Sequence, residues 1–233
     1  MSLSVCKFGG SSLADGNNIS RVTEIIGSDP ARRFVVVSAP GKRYSDDIKV
    51  TDLLYACYRE SVEKGSCAET FQKIRKRFRS IVTELGMDSF DIDGILDETE
   101  RAIEENKSAD FTASRGEYLN ARVVAAKLGR TFIDAKDIIF FDENGRFDES
   151  RSYPLIAEKL SAAGSAVVPG FYGTGADGKI RTFSRGGSDI SGSIVARAMN
   201  ADVYENWTDV SGFLACDPRI VEKPEKIETI SFK

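Results

Sequence analysis

The chain has 233 residues, of which 41% are hydrophobic and 29% are charged, and its formal net charge at pH 7 is -4. This is the composition of a globular protein with one substantial core, and it lacks the basic excess that a nucleic-acid partner would require. The chain contains no histidine, which argues against a zinc site and excludes histidine-dependent acid–base or triad chemistry.

Neither a membrane span nor a secretory leader is expected. No apolar run approaches spanning length, and residues 1–4 lack the basic flank and the apolar stretch of a signal peptide. The cysteines are scattered without paired spacing, as in proteins of a reducing compartment; they are Cys6, Cys57, Cys67 and Cys216. We therefore expect a cytoplasmic protein without a membrane partner.

The first part of the chain is predicted to form a strand, a glycine turn, a helix and a second strand. Residues 3–8 read as a buried strand, and the turn Lys7-Phe8-Gly9-Gly10-Ser11-Ser12 leads into a helix that ends at Gly27. Residues 33–39 form a continuous apolar run of the type buried in parallel sheets. This order predicts an α/β fold with right-handed crossovers.

Residues 50–130 are predicted to be mainly helical. Five basic residues flank one apolar stripe in this region: Lys73, Arg75, Lys76, Arg77 and Arg79. They could form a phosphate patch, but such a run is more often a solvated helix face, and we favour that interpretation. Further along, Glu117 is either a first-turn acid that complements a helix dipole or a cleft residue that holds a cationic group.

The remaining chain alternates short strands with helices. Strands are predicted at residues 131–134, 138–141, 165–169 and 201–207, and a helix is predicted around residues 153–160. The glycine-rich segment 173–179 is typical of a hairpin tip, with residues 180–183 as its return arm.

A second glycine turn, Arg185-Gly186-Gly187-Ser188-Asp189, runs directly into a predicted helix. Adjacent glycines let the backbone approach a ligand, and Ser188 and Asp189 are expected to cap the helix. The helix N-terminus favours an anion, Arg185 can grip a carboxylate or phosphate, and Asp189 would steer cations around a phosphoryl group. The motif alone is often only a capped loop, but two such turns can meet at the carboxyl edge of a sheet.

Five segments, in this order and spanning nearly the whole chain, resemble those of the aspartate kinases. They are Lys7-Phe8-Gly9-Gly10-Ser11-Ser12, Ser114-Arg115-Gly116-Glu117, Gly170-Phe171, Arg185-Gly186-Gly187-Ser188-Asp189, and Trp207-Thr208-Asp209-Val210-Ser211-Gly212 with Asp217-Pro218-Arg219. The resemblance implies the amino acid kinase fold, a three-layer αβα sandwich around a mostly parallel sheet. It also implies ATP-dependent phosphorylation of the side-chain carboxylate of L-aspartate to 4-phospho-L-aspartate, the first step towards lysine, threonine and methionine.

The resemblance further implies roles for individual residues at the phosphates. Lys7 would bridge the phosphates and stabilise the transition state, and Asp189 would orient Lys7. The backbone N–H groups of Gly9, Gly10 and Ser11 would bind the same oxygens. Mg²⁺ would be held largely by the phosphates of ATP, so no dedicated metal cage in the protein is expected.

The two substrates are assigned to separate residue sets by the same resemblance. Arg185 would clamp a carboxylate of aspartate and Glu117 its ammonium group, and the pocket would be completed by Thr51, Phe171 and Ser188. The nucleotide side would be formed by Thr208, Asp209, Asp217 and Arg219. Where the family often has a tyrosine, this chain has Leu214, which puts a ring contact to adenosine in question.

The resemblance covers residues 1–233 as a catalytic domain that is cut short at its C-terminal end. Residues 1–165 would form the amino-acid lobe and residues 166–233 the nucleotide lobe. Family members normally continue with a further nucleotide-contacting segment and small regulatory domains, and we expect the full-length parent to be a homo-oligomer. Two alternatives stay open: a sister kinase for glutamate, acetylglutamate or a nucleoside monophosphate, and a fragment that binds nucleotide or aspartate without turnover.

Overall fold

The computed structural model describes residues 2–184, 186–208, 213–214 and 220–227. Within these residues, helices cover both faces of a five-stranded parallel sheet with the strand order β3-β4-β2-β1-β7. The strands are β1 (Ser4–Phe8), β2 (Arg32–Val37), β3 (Thr131–Phe132), β4 (Ala166–Pro169) and β7 (Val203–Trp207). The predicted α/β class and three-layer architecture are therefore confirmed.

The helices and the remaining strands follow the chain order expected from the sequence. The helices are α1 (Gly16–Gly27), α2 (Val50–Lys64), α3 (Ala68–Glu84), α4 (Ile92–Asn106), α5 (Ala109–Leu128), α6 (Glu149–Ala163) and α7 (Gly187–Ala198). The predicted hairpin is formed by β5 (Tyr172–Thr174) and β6 (Ile180–Thr182), and a second short pair by β8 (Phe213–Leu214) and β9 (Lys226–Ile227). In the described part of the chain, no helix combines the length and apolarity that a bilayer crossing requires.

Strand β1 separates two hydrophobic cores because successive side chains of a strand point to opposite faces. Cys6 and Phe8 face the larger core, which contains apolar residues of α1 to α5. Val5 faces the smaller core, which is formed with α6 and α7. The same alternation places the side chain of Lys7 on the α7 side of the sheet.

The prediction of a strand at residues 138–141 is wrong. Phe140 forms one isolated bridge with Thr174, and Phe141 forms one with Phe147. All four residues of the segment are buried. An apolar run of this length does not reveal whether it is a buried strand or another buried segment, since both remove every side chain from water.

The prediction of a solvated basic face on α3 is wrong for two of its five residues. Arg75 is 7% exposed and Arg77 is 4% exposed, whereas Lys73, Lys76 and Arg79 are exposed as predicted. Arg75 pairs with carboxylates of α4, and Arg77 pairs with an aspartate of the β2–α2 loop. The sequence of α3 cannot show these partners because they come from other parts of the chain.

We expect Gly116→Ala to destabilise the fold although alanine is the better helix former. A Cβ at Gly116 would lie 2.7 Å from Cβ of Ala39 and 3.2 Å from Cδ1 of Leu54, where α5 crosses the end of β2. Such overpacking costs about 1–3 kcal/mol in the free energy of unfolding, measured by urea denaturation. Gly27→Ala is the control, since a Cβ at Gly27 meets nothing within 4 Å; equal stability of the two variants would contradict the close packing.

Candidate active site

The centre of the site is an ion pair between strand β1 and helix α7. Nζ of Lys7 lies 2.6 Å from Oδ1 of Asp189, and the side chains are 8% and 49% exposed. Asn206, the partner of Lys7 in the β1–β7 register, donates from Nδ2 to the same Oδ1 at 3.1 Å. Two donors from neighbouring strands therefore hold one carboxylate oxygen at the start of the helix.

Helix α7 begins without a side-chain cap, so the prediction that Ser188 and Asp189 cap it is wrong. The N-cap residue is Gly186, whose backbone is in the left-handed region with φ 57°. Glycine adopts this conformation without a steric cost, and the chain can therefore enter the helix from the turn. Ser188 and Asp189 lie inside the first turn, where the carboxylate of Asp189 complements the helix dipole and reaches Lys7.

Glu117 is a buried acid in the middle of α5, not a first-turn residue. It is 5% exposed, and its Oε2 has no hydrogen-bond partner among the residues that the structure describes. Burial raises the pKa of Glu117 to about 8, although the N–H of Ala39 and the charge of Arg115 act in the opposite direction. A buried carboxyl with an unused oxygen is suited to bind a cation or a neutral donor.

An open cleft of about 340 Å³ brings most of the predicted substrate residues together. Its lining contains Lys7, Thr51, Glu117, Phe171, Ser188 and Asp189. The interpretation of Glu117 as a cleft residue is therefore the one that the structure supports.

Phe171 occupies this cleft in a strained backbone conformation. Its φ is 79°, a value that costs a non-glycine residue about 1–2 kcal/mol. The strain is held by two hydrogen bonds: the N–H of Phe171 donates to Oγ of Ser191 at 3.0 Å, and its carbonyl accepts from the N–H of Phe183 at 2.9 Å. Strain of this kind is typical of sites where a side chain must face a ligand.

In the first glycine turn, one of the three backbone N–H groups predicted to bind phosphate has a partner within the protein. The N–H of Gly9 donates to the carbonyl of Trp207 at 3.1 Å and is therefore occupied. The N–H groups of Gly10 and Ser11 have no acceptor among the described residues, as expected at the start of the 3₁₀ turn Ser11–Leu13. These two groups can therefore donate to an anion.

The residues predicted for the nucleotide are only partly described. Thr208 lines a second, smaller cavity of about 190 Å³ next to Phe8 and Trp207, whose rings stack. The other residues predicted for the nucleotide, Asp209, Asp217 and Arg219, lie outside the described residues. Arg185, which is predicted to bind a carboxylate of aspartate, also lies outside them. The side chain of Leu214 also lies outside them.

Comparison with known proteins identifies the family. The model of the amino acid kinase family matches residues 2–233. The chain belongs to the amino acid kinase family. Aspartokinase 3 of Bacillus subtilis is 38% identical over 99% of this chain and 54% of its own length.

Solved structures of the family share the fold. The crystal structure of Clostridium acetobutylicum aspartate kinase matches with a TM-score of 0.91 and 50% identity over 97% of this chain and 52% of that chain. Escherichia coli aspartokinase III, solved in complex with aspartate and ADP, matches with a TM-score of 0.79 and 26% identity over 97% of this chain and 53% of its own. This chain spans about half the length of these relatives.

Two residues of the site were not predicted from the sequence. Ser38 lines the cleft directly after β2, and its place at the carboxyl end of an apolar strand was a usable signal. Asn206 binds Asp189 only because β7 lies next to β1 with Lys7 and Asn206 side by side. Strand order and register are tertiary features, so no local signal marks Asn206.

The raised pKa of Glu117 predicts how stability depends on pH. The carboxyl has an ordinary pKa of 4.5 and a folded pKa of about 8, so between these values the folded state keeps a proton that the unfolded state loses. The free energy of unfolding should therefore decrease as pH rises from about 5 to 8. Glu117→Gln removes the titration, and we expect a variant that is more stable than the parent at pH 8 but not at pH 5.

The control for this comparison is Glu98→Gln on α4, because Glu98 is exposed in the folded state. Urea denaturation at pH 5, 6, 7 and 8 measures all three proteins. A stability difference between Glu117→Gln and the parent that does not change with pH would contradict the raised pKa.

Proposed function

We propose that this chain is the catalytic part of an aspartate kinase, which transfers the γ-phosphoryl group of ATP to the side-chain carboxylate of L-aspartate. The observation that carries the proposal is that one cleft holds both the Lys7–Asp189 pair and the buried acid Glu117, whose Oε2 has no hydrogen-bond partner among the described residues. The Lys7–Asp189 pair is suited to bind a phosphoryl group, and Glu117 is suited to bind an ammonium group. The aspartokinases at 38% and 50% identity support this assignment.

The proposed chemistry fits a chain without histidine. A carboxylate nucleophile has an ordinary pKa near 4 and is already ionised at neutral pH, so the reaction needs no general base. What the protein must supply is the positioning of two anions and the neutralisation of charge on the moving group. Lys7 supplies the positive charge, and Asp189 and Asn206 fix the place from which it acts.

The amino-acid substrate is assigned to the cleft residues. In this proposal Glu117 binds the ammonium group and Arg185 a carboxylate of aspartate. The walls of the pocket come from Thr51 in the first turn of α2, from Phe171, and from Ser188 in the first turn of α7. Because α2, α5 and α7 are separate elements, the pocket exists only in the folded chain.

The nucleotide is assigned to the glycine turn and to the segment after β7. The N–H groups of Gly10 and Ser11 have no acceptor in the described part of the chain, and we assign phosphate oxygens to them. The assignment extends to Thr208, Asp209, Asp217 and Arg219. It corresponds to an amino-acid lobe at residues 1–165 and a nucleotide lobe at residues 166–233, and that division stays a prediction. So do the cytoplasmic location and the homo-oligomeric state of the full-length parent.

The cleft also fits a Mg²⁺ ion that arrives with the nucleotide. Lys7 and Asn206 both bind Oδ1 of Asp189, so Oδ2 is the carboxylate oxygen that remains for the ion or its water ligands. Bound Mg²⁺ neutralises charge on the phosphates during transfer. Among the described residues, no group of three or more acidic, cysteine or histidine side chains could enclose a metal, and the phosphates would therefore supply most of its ligands.

We expect Lys7→Ala to lower kcat by about 10²–10³-fold, because it removes one well-placed charge from the transition state. The control is Lys136→Ala, since Lys136 also lies near an aspartate, Asp134 at 3.9 Å, but outside the cleft. Steady-state kinetics compares both variants with the parent. Turnover of Lys7→Ala within threefold of the control would remove Lys7 from the mechanism.

A substrate panel tests the reaction itself. ADP release from MgATP is measured in a coupled assay without acceptor and with aspartate, glutamate, acetylglutamate or a nucleoside monophosphate. We expect release that depends on aspartate and a product that reacts as an acyl phosphate with hydroxylamine. Release with another acceptor would favour a sister kinase, and binding of MgADP without any turnover would favour a binding fragment.

A further inference from the structure

Arg77 of α3 connects loops that surround the first glycine turn, Lys7-Phe8-Gly9-Gly10-Ser11-Ser12. Its Nη1 donates to the carbonyl of Gly41 at 3.0 Å and to that of Ala14 at 3.3 Å, and its Nη2 donates to the carbonyl of Ile48 at 3.3 Å and to the carboxylate of Asp47. All three carbonyl groups belong to loops. One buried guanidinium therefore ties the end of the 3₁₀ turn to the β2–α2 loop.

The β2–α2 loop lies directly behind the glycine turn. The N–H of Gly41 donates to the carbonyl of Gly10 at 2.8 Å. A Cβ on Gly10 would lie 2.8 Å from the carbonyl oxygen of Ala39, and a Cβ on Gly41 would lie 2.7 Å from the carbonyl carbon of Gly10. The backbones of Gly10 and Gly41 are in direct contact. A displacement of Gly41 would therefore move the first glycine turn directly, because no side chain lies between them.

The charge of Arg77 is balanced where it is buried. Asp47 also accepts from the backbone N–H and the guanidinium of Arg43. The bonds from Arg43, together with the charge of Arg77, hold the pKa of Asp47 well below its usual range, and burial lowers the pKa of Arg77. A lone buried charge would be costly, so Asp47 is what allows Arg77 to stay charged at this position.

We propose that Arg77 is a positioning residue for phosphate binding: it holds the glycine turn so that the N–H groups of Gly10 and Ser11 face the phosphates beside Lys7. Arg77 lines a different cavity from the one that contains Lys7 and acts through Ala14 and Gly41. This inference rests on the proposed kinase function. An error of about 1 Å in the position of such groups can cost about 10²-fold in rate.

Arg75 is a matched control for Arg77. It lies two residues away on the same helix and is similarly buried, at 7% exposure against 4%. Its guanidinium pairs with Asp97 at 2.7 Å and with Glu100 at 2.9 Å, both on α4, and among the described residues it contacts no loop around the first glycine turn. Replacing Arg77 removes a fully buried ion pair, whereas the carboxylate partners of Arg75 are partly exposed. Of the two arginines, only Arg77 contacts the loops behind the turn.

The kinetic experiment compares Arg77→Met, Arg77→Lys and Arg75→Met in the full chain. We expect Arg77→Met to raise the KM for ATP or lower kcat so that kcat/KM for ATP falls by about 10–10²-fold. The KM for aspartate should change less than kcat/KM for ATP, because Glu117 and Phe171 lie on elements that Arg77 does not contact, and only Ser38 and Thr51 of the cleft adjoin the β2–α2 loop. Arg75→Met should keep kcat/KM for ATP within threefold of the parent, and urea denaturation measures how much stability each variant loses.

Arg77→Lys keeps the positive charge but not the fork that reaches several carbonyl groups, and we expect an intermediate loss. If Arg77→Met does not fold, this variant decides the question alone. Equal losses of kcat/KM in the Arg75 and Arg77 variants, or a loss confined to the KM for aspartate, would overturn the positioning role.

Amide hydrogen exchange tests the same inference without turnover. In Arg77→Met or Arg77→Lys, peptides covering residues 9–14 and 39–49 should exchange at least about tenfold faster, and the Arg75 variant should leave them unchanged. Unchanged exchange in these peptides would overturn the proposal. If the parent shows no kinase activity, the proposed function fails, and exchange alone then shows whether Arg77 holds the turn.

Discussion

The site depends on one interaction, the ion pair between Lys7 and Asp189. Lys7 belongs to an interior strand of the sheet and is almost fully buried, so its charge requires a nearby anion. Asp189 meets this need from the first turn of α7, and Asn206 fixes the same oxygen from the neighbouring strand. A cation that is buried in the protein and yet faces an open cleft can act on an anionic ligand with little reorganisation, which is what phosphoryl transfer requires.

The second constraint is the close approach of two backbones at the glycine turn. Gly10 and Gly41 are in direct contact, and neither position has room for a side chain. The N–H of Gly41 donates to the carbonyl of Gly10, and the guanidinium of Arg77 donates to the carbonyl of Gly41. The turn therefore owes its shape to groups from three segments that are distant in sequence.

Glu117 shows the conflict between folding and function most directly. Its carboxyl is buried on α5 with one oxygen unpaired, and burial raises its pKa to about 8. Such a group destabilises the folded chain at neutral pH relative to an amide of the same shape. A cationic ligand would supply a partner for this oxygen, which supports the proposed binding role of Glu117.

The sequence by itself determined the α/β class, the hairpin, most of the helices and the two glycine turns, because these follow from local periodicity and from residues that favour particular backbone angles. It also marked Lys7, Glu117 and Asp189. Only the tertiary structure decided that Gly186 precedes α7 without a side-chain cap and that Arg77 is buried. The burial of Arg77 depends on partners far along the chain, and the backbone angles of Gly186 depend on how the chain enters the cleft, so no local pattern contains that information.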